Sequence, residues 1–528
     1  MTETSIGVRA AKGTGVLIGQ SIVNALLGTI FFMYMVRVLT KTEVGVYGAA
    51  TLAYTVGITI GTLGLDYAVS RFIPTFYGRG DEAGIKLIAK RVTLFSSFSA
   101  VSLSLIYFAL SGFLSNFMLE TSAYTNIFQI SALVVFTGTL SFAAIGVLQG
   151  FQKFTHLAIF RFVAQIARVG VSIWLLFIGL GVAAVLWGYM LFYLILIVLI
   201  ALIVVGALSK SSSSDTGTPS SPLPVRSLLA FSLPLMGYRL VEYASNSVDQ
   251  YIVLGALGVQ ALGVYTVVYT AATFILTVFA LPFIMTLIPS FSEIYGRTGA
   301  EKVSDTLKHS TRYVSMFFIP TSLGVAAISP LALHVLGGVP YIEGALPLAI
   351  ICIGASVYGF SIAIISALTA LGETRKVILV ISIATVIEFV ACLGLTSIFA
   401  VPGAALGRAL MYLAMLLLFI YVGSKAIPIG FDGEAVFGSL LSASLMAVLL
   451  YFIASLTDFR FILLPFYLIL AAIVYFLGLS ALRIIRLEDI QLMCKILPRG
   501  ETLYSKIEQA AKDQSLLSRI IRLLCKLN

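Results

Sequence analysis

Charged and amide side chains set inside long apolar runs are the residues of this chain with the most chemistry to offer. Each costs about 2.5–3.5 kcal/mol by membrane-insertion scales unless it faces protein or water. Arg239, Glu242, Asn246 and Asp249 follow one another at spacings of three, four and three, which places them on one face of a helix. Tyr243 and Gln250 border that stripe, and at Pro234, just over one turn earlier, the helix can kink and free backbone carbonyls. An internal Arg239–Glu242 pair that locks helix packing is the structural alternative. The stripe holds more polar groups than one pair needs and suits a water-filled cavity. Arg161, Gln165 and Arg168 share a face in the same way. Two guanidiniums with no acid on their helix call for an anionic partner, and the planar Arg fork suits bidentate phosphate contact. Arg161 can instead snorkel to the surface, whereas Arg168 lies deeper.

Gln20 and Asn24, one turn apart, complete the candidate substrate-binding set of Arg161, Gln165, Arg168, Arg239 and Asn246. The carboxylates Asp66, Glu242, Asp249 and Glu388 are ion-coupling candidates. A buried carboxylate can hold a proton or Na⁺, and a membrane potential supplies roughly 2.3 kcal/mol per charge per 100 mV. Glu388 and Arg408 can also simply pair with each other.

No catalytic constellation accompanies these charges, and the chain is expected not to be an enzyme. It contains no P-loop, so ATP does not drive it directly. His156, His309 and His334 are far apart and offer no metal spacing. Cys352 and Cys392 lie in apolar runs, and Cys494 and Cys525 in a basic tail, which is neither a disulfide framework nor a metal cluster. No cofactor is expected beyond a coupling Na⁺ or proton. Trp174 and Trp187 lie near span ends and read as interfacial or core.

The elements that position these residues must be membrane-spanning helices. The chain has 528 residues, 59% hydrophobic and 11% charged, whereas soluble domains carry about 25% charged residues. Its apolar residues come in blocks that reach, with their flanks, the roughly 20 residues a helix needs to cross a bilayer. Continuous runs such as Leu191–Val205 lack the alternation of barrel strands. We place about 14 spans, at 13–38, 44–70, 92–114, 124–150, 156–179, 182–207, 228–254, 260–290, 312–336, 343–371, 376–399, 402–424, 434–456 and 460–482. The first run is too long for a cleaved signal and is expected to stay as the first helix. Lys and Arg cluster in alternate loops, with Lys41 and Arg460 as exceptions, so both termini are expected in the cytoplasm. The formal charge of +10 reads as this cytoplasmic-loop excess rather than as a nucleic-acid surface.

Residues 210–224 form a Ser/Pro-rich linker after the sixth span. On either side of it the sequence repeats. Gly45-Val46-Tyr47 matches Gly263-Val264-Tyr265, and Tyr77-Gly78-Arg79 matches Tyr295-Gly296-Arg297, both at an offset of 218 residues. Ten identities fall between 45–79 and 263–297, where random pairing of such apolar text gives roughly three. Further along, Gly150 and Lys153 face Gly372 and Arg375, and Gly181 and Ala183 face Gly403 and Ala405, at an offset of 222. The halves have even span counts and the same orientation, which makes them parallel repeats about an axis along the membrane normal. The expected organisation is a six-helix lobe at 1–207, a cytoplasmic linker at 208–227, a second six-helix lobe at 228–425, an extra helix pair at 426–482 and a basic tail at 483–528. Ser515–Leu527 reads as an amphipathic helix on anionic lipid, or as one packed on the cytoplasmic loops. Asp66 has no charged counterpart in the repeat, where Ile284 stands, so its role belongs to one half.

Several stretches resemble one family. They are Lys12-Gly13-Thr14-Gly15 before the first helix, Arg37-Val38-Leu39-Thr40-Lys41-Thr42-Glu43-Val44-Gly45-Val46-Tyr47, Gly64-Leu65-Asp66-Tyr67-Ala68-Val69-Ser70-Arg71-Phe72, and Asn246-Ser247-Val248-Asp249-Gln250-Tyr251-Ile252-Val253-Leu254-Gly255. They are similar to the polysaccharide-biosynthesis flippases of the multidrug/oligosaccharidyl-lipid/polysaccharide exporter superfamily, over most of 1–425. The resemblance implies two six-helix lobes around a central cleft, often with two extra C-terminal helices. It implies alternating access that flips a polyprenyl-(pyro)phosphate-linked oligosaccharide across the cell membrane. The implied partners are that lipid-linked oligosaccharide, membrane lipids, and a polysaccharide polymerase or glycosyltransferases. A drug or cation antiporter and a peptidoglycan-precursor flippase of the same superfamily are the rival readings. An antiporter would favour acidic cavity residues. A membrane glycosyltransferase would need clustered acids at the surface or a sizeable soluble loop, and neither is present.

Overall fold

The computed structural model describes residues 3–210 and 225–486, with side chains for 19–21, 23–205, 226–274, 277 and 283–486. The linker from Ser211 to Pro224, the amphipathic tail Ser515–Leu527, Cys494 and Cys525 lie outside the described residues. The described chain is helical: α1 (Glu3–Val38), α2 (Lys41–Gly61), α3 (Leu65–Gly78), α4 (Glu82–Ala109), α5 (Ser111–Leu119), α6 (Thr125–Gly150), α7 (Phe154–Phe177), α8 (Val182–Lys210), α9 (Val225–Thr298), α10 (Ala300–Ala327), α11 (Ser329–Gly337), α12 (Ala345–Ala370), α13 (Thr374–Phe399), α14 (Val401–Gly423), α15 (Gly433–Leu456) and α16 (Leu464–Ala481). No strand occurs among the described residues. This is an all-α polytopic membrane fold, as the composition predicts. The surface agrees: Leu94, Phe98, Val101 and Leu105 form an exposed apolar stripe along α4, the face lipid requires.

Twelve described segments are long and apolar enough to cross a bilayer, or 13 with the bent pair α10–α11 taken as one span. The sequence reading expects about 14 because it separates 228–254 from 260–290. Both fall on α9, whose backbone leaves helical geometry only at Gly258, with φ 83° and ψ 179°. That extended conformation at positive φ is open to glycine and not to residues with a Cβ. The backbone stays helical through Pro234, so the interruption lies at Gly258 and not at the proline. The second expected span, 44–70, is itself broken. Leu63 and Gly64 take left-handed conformations, with φ of 49° and 68°, and separate α2 from α3.

The chain divides into two compact units. One comprises Met1–Thr270, Leu336–Tyr341 and Glu388–Ala404. In it α6 packs against α2, α3, α4 and α8, while α7 packs against α1 and α8. Leu65, Val69 and Ile73 of α3 meet Ile85, Ile88 and Val92 of α4 and Leu228 of α9 in one apolar cluster. The other comprises Ala271–Val335, Ile342–Ile387 and Ala405–Asn528. In it α10 packs against α12 and α15, and α15 against α16.

The repeat is drawn in the backbone. α4 and α5 begin and end 218 residues before α10 and α11 at all four boundaries, from Glu82/Ala300 to Leu119/Gly337. A reciprocal contact in the first unit carries the same offset. A Cβ added at Gly45 would overlap the carbonyl of Val259, and one added at Gly263 would overlap the carbonyl of Lys41. Lys41 and Val259 are 218 residues apart, as are Gly45 and Gly263. Two small residues thus let α2 and the second part of α9 cross at backbone contact, the device expected where lipid offers no hydrophobic drive for helix association.

Candidate substrate and ion-coupling site

The break between α2 and α3 sets the first group. Thr40 opens α2 with a capping box: its N–H donates to Glu43 Oε2 at 2.9 Å, and the Glu43 N–H donates to its hydroxyl at 3.3 Å. α2 ends at Gly61, whose carbonyl accepts from Ser99 Oγ at 2.8 Å. After the left-handed pair Leu63-Gly64, Asp66 stands in the first turn of α3, where the helix dipole favours a carboxylate. Gly146 of α6 lies so close that an added Cβ would stand 2.7 Å from the Asp66 Cα. On α9, Ser232, Met236 and Arg239 share the face that meets the break. Gly64 abuts the backbone of Ser232 and Met236, and Arg239 Nη2 donates to Asp66 Oδ2 at 2.7 Å. The guanidinium lies 4.6 Å from the Tyr67 ring and 5.4 Å from that of Phe142. The partner of Arg239 is therefore Asp66, an ion pair the internal Arg239–Glu242 alternative does not contain.

Tyrosines continue the docking of α9. The hydroxyls of Tyr243 and Tyr251 both donate to the Leu52 carbonyl of α2, at 2.7 and 3.0 Å. Asp249 is fully buried and accepts from Tyr265 Oη at 2.5 Å, across the Gly258 break. Glu242 and Asn246 are exposed, and Asn246 Nδ2 donates to the Glu242 carbonyl of its own helix at 2.8 Å. The polar stripe is thus divided between a residue paired with α3, two exposed residues and one buried acid. Its members have different surroundings because α9 is covered over only part of its circumference.

The second group joins α1 and α7. Arg168 and Gln165 are buried, and Arg161 is half-buried. The Arg168 guanidinium lies 4.4 Å from the Tyr189 ring and 5.2 Å from that of Phe31, and its Nε has no hydrogen-bond partner. Tyr189 Oη and Tyr47 Oη are 3.3 Å apart. A Cβ at Gly28 would stand 3.7 Å from Gln165 Nε2, so Gly28 and Phe31 carry α1 past Gln165 and Arg168. Gln20 and Asn24 lie on the same helix, each with a buried amide oxygen that no donor satisfies. An unsatisfied buried polar group costs about 1–3 kcal/mol unless a partner reaches it. Glu388 on α13 and Arg408 on α14 are both buried.

A third cluster, in the second unit, escapes the sequence reading. Asp432 caps α15 through the Ala435 N–H at 3.1 Å and pairs with Arg312 at 3.3 Å and Arg486 at 3.6 Å. Arg312 also donates to the Ile484 carbonyl, which ties the segment after α16 to α10. Burial pushes the Asp432 carboxyl up, but the Ala435 N–H and the two guanidiniums outweigh it and hold the carboxyl below the ordinary carboxylate range. The sequence signal is Asp432 three residues before the apolar run that opens at Ala435, a position that suits an N-cap. Among the described residues no group of His, Cys, Asp and Glu is arranged to hold a metal ion.

Solved structures share this fold. The lipid II flippase MurJ in its inward closed conformation matches with a TM-score of 0.65 and 14% identity, over 87% of this chain and 98% of its own. An inward-facing multidrug resistance MATE transporter of the MOP superfamily matches with a TM-score of 0.62 and 14% identity, over 78% and 98%. A variant of the Vibrio cholerae MATE transporter VcmN matches with a TM-score of 0.54 and 15% identity, over 79% and 98%. The class is therefore a polytopic helical membrane protein with the fold of these transporters, carrying buried arginines and carboxylates inside its spans. Within that class, residues 10–295 match the family described as polysaccharide biosynthesis protein, more than half of the chain, and the protein belongs to that family. No curated protein matches it.

Proposed function

We propose that this protein is a flippase that carries a polyprenyl-(pyro)phosphate-linked oligosaccharide from the cytoplasmic to the outer leaflet of the cell membrane. It works by alternating access, is coupled to a proton or Na⁺ gradient, and has both termini in the cytoplasm. The carrying observation is a pair of membrane-embedded arginines, Arg168 and Arg239, in a polysaccharide-biosynthesis scaffold. A phosphate head cannot cross hydrocarbon unaided, because an isolated charge forfeits solvation worth tens of kcal/mol by Born estimates. Fixed guanidiniums replace that water and remain charged at any relevant pH. The orphaned Arg168 Nε supports this reading, as do the nearby aromatic faces, which suit the apolar surroundings of a lipid-borne head. The lipid II flippase, whose fold the chain shares, is named for a lipid-linked substrate. A multidrug or cation antiporter accords less well with two arginines in this setting.

The test is a graded series at both sites. Lys keeps the charge but loses the bidentate fork, and Ala loses both. Appearance of sugar at the outer face should fall from wild type to Lys to Ala, with lipid-linked precursor accumulating inside and membrane insertion unchanged. If Arg168→Ala and Arg239→Ala leave flux unchanged, the arginines are structural and the anionic-substrate reading fails.

A further inference from the structure

The two halves of the chain differ in what covers one helix face. In the second half, α15 packs on α10, and the pair α15–α16 closes over α11. Asp432, the N-cap of α15, pairs with Arg312, and Met446 would lie 3.5 Å from a Cβ on Gly324. Tyr475 of α16 donates to the Met316 carbonyl at 3.0 Å. Ile328 and Leu331 join Leu450, Ala454 and Tyr467 in one apolar cluster. Residue numbers rise together along α10 and α15 through these contacts, so the two helices run parallel.

The 218-residue repeat maps this covered face onto α4 and α5. The counterparts of Arg312, Met316, Gly324, Ile328 and Leu331 are Leu94, Phe98, Ile106, Leu110 and Phe113. All five are exposed. Arg312 is 2% exposed and Leu331 fully buried, against 59% for Leu94 and 63% for Phe113. Among the described residues α4 packs on α2, α3, α5 and α6, which leave these positions open.

We infer that the open face of α4–α5 is a docking surface for a transmembrane helix, and that its occupant is α4 of a second copy of this chain. The inference goes beyond the flippase reading and does not rest on it. Three observations favour a second copy. The first is charge: where Arg312 calls for Asp432, the first half has Leu94, so the face asks for an apolar partner with no acid, which the same face on another copy supplies. The second is direction. Copies inserted alike and related by a two-fold axis along the membrane normal pair α4 with α4 in parallel, the direction in which α10 meets α15. The third is spacing. The exposed Leu94, Phe98, Val101, Leu105 and Phe108 follow at four, three, four and three, the interval at which two parallel helices interlock knobs into holes. The half-buried Ser97 and Ser102 flank that seam and let the backbones approach, as helix association in lipid requires. On α5 the stacked rings of Phe113 and Phe117, 5.7 Å apart, extend the face where Leu331 and Val335 meet α15–α16 in the other half. The exposed Lys90 precedes the seam by one turn, outside the apolar run.

The experiment uses the full chain, labelled once at its N-terminus and reconstituted in liposomes over a series of protein-to-lipid ratios. Subunits are counted by single-molecule photobleaching. The dimer fraction of wild type should rise with density as a monomer–dimer equilibrium requires. Phe98→Ala with Leu105→Ala should raise the dissociation constant at least about tenfold. Thermal unfolding of that variant should stay unchanged at low density, since both side chains are exposed in the single chain. Val198→Ala with Leu202→Ala, on an exposed face of α8, should leave the equilibrium as in wild type. In a background without the four native cysteines, Val101→Cys should form an inter-subunit disulfide in membranes under mild oxidant, and Leu202→Cys should not. Monomers at every density overturn the proposal and leave the face to lipid. Dimers that survive Phe98→Ala with Leu105→Ala, or a Leu202→Cys disulfide as strong as that of Val101→Cys, overturn it too. Cross-linking of Val101→Cys to a different protein alone also overturns the second copy.

Discussion

Gly64→Ala tests whether the α2–α3 break holds α9 in place. Gly64 has φ 68°, a conformation that costs an L residue about 1–2 kcal/mol. A Cβ there would also overlap the Ser232 carbonyl and stand 3.1 Å from the Met236 nitrogen. Both obstacles are backbone and cannot swing aside, so α9 must shift, at the cost of about 1–3 kcal/mol typical of overpacking. The expected loss is about 2–5 kcal/mol. Two other glycines divide the contributions. Gly80 has φ 69° with nothing within 4 Å of an added Cβ, so Gly80→Ala measures the strain alone and should cost about 1–2 kcal/mol. Gly237 is helical with the same open space, and Gly237→Ala should be neutral or stabilise by up to about 1 kcal/mol. Thermal unfolding of the three purified variants in detergent gives the order. Displacement of α9 should also part Asp66 from Arg239, so flux should fall in Gly64→Ala alone. If Gly64→Ala is no less stable than Gly80→Ala, the close approach of α9 to the break is not real and the site built on it fails.

Other outcomes follow from the same geometry. Tyr265→Phe removes the 2.5 Å bond to buried Asp249 and should cost about 1–3 kcal/mol, read by thermal unfolding. Thr40→Ala removes half of the α2 capping box and should cost about 1 kcal/mol, with Glu43→Ala a comparable loss that does not add fully to it. The folded Asp432 carboxyl lies below its unfolded value of about 3.9, so its stabilisation is complete above that pH and is lost as pH falls through the folded value. Unfolding temperature measured between pH 6 and pH 2 should therefore drop at the acid end in wild type and drop less in Asp432→Asn. Cysteines at the exposed Glu242 and Asn246 should react with a water-soluble thiol reagent, while those at the buried Ser247 and Asp249 should not. Equal labelling of all four would contradict the division of the helix face.

The helical membrane class, the repeat and the family resemblance were legible in the sequence because each rests on pattern along the chain. Lipid tolerates only long apolar helices, so composition decides the class, and a duplicated chain keeps its spacing, so Gly45 and Gly263 announce one another. Spacing also places Arg239 and Asp249 on one helix face, since that depends only on helical pitch. What a charge meets depends on residues far away in the chain. Arg239 meets Asp66, 173 positions earlier, and not Glu242 three positions on. That choice requires the left-handed step at Leu63-Gly64, which turns Asp66 toward α9, and Gly146, which leaves room for it. The same holds for Asp432, an ordinary helix cap in sequence until folding brings Arg312 and Arg486 against it. Helix formation and insertion are local and follow from the chain itself, whereas the partner of a buried charge is set by which helix backbones can approach closely enough, and only tertiary packing settles that.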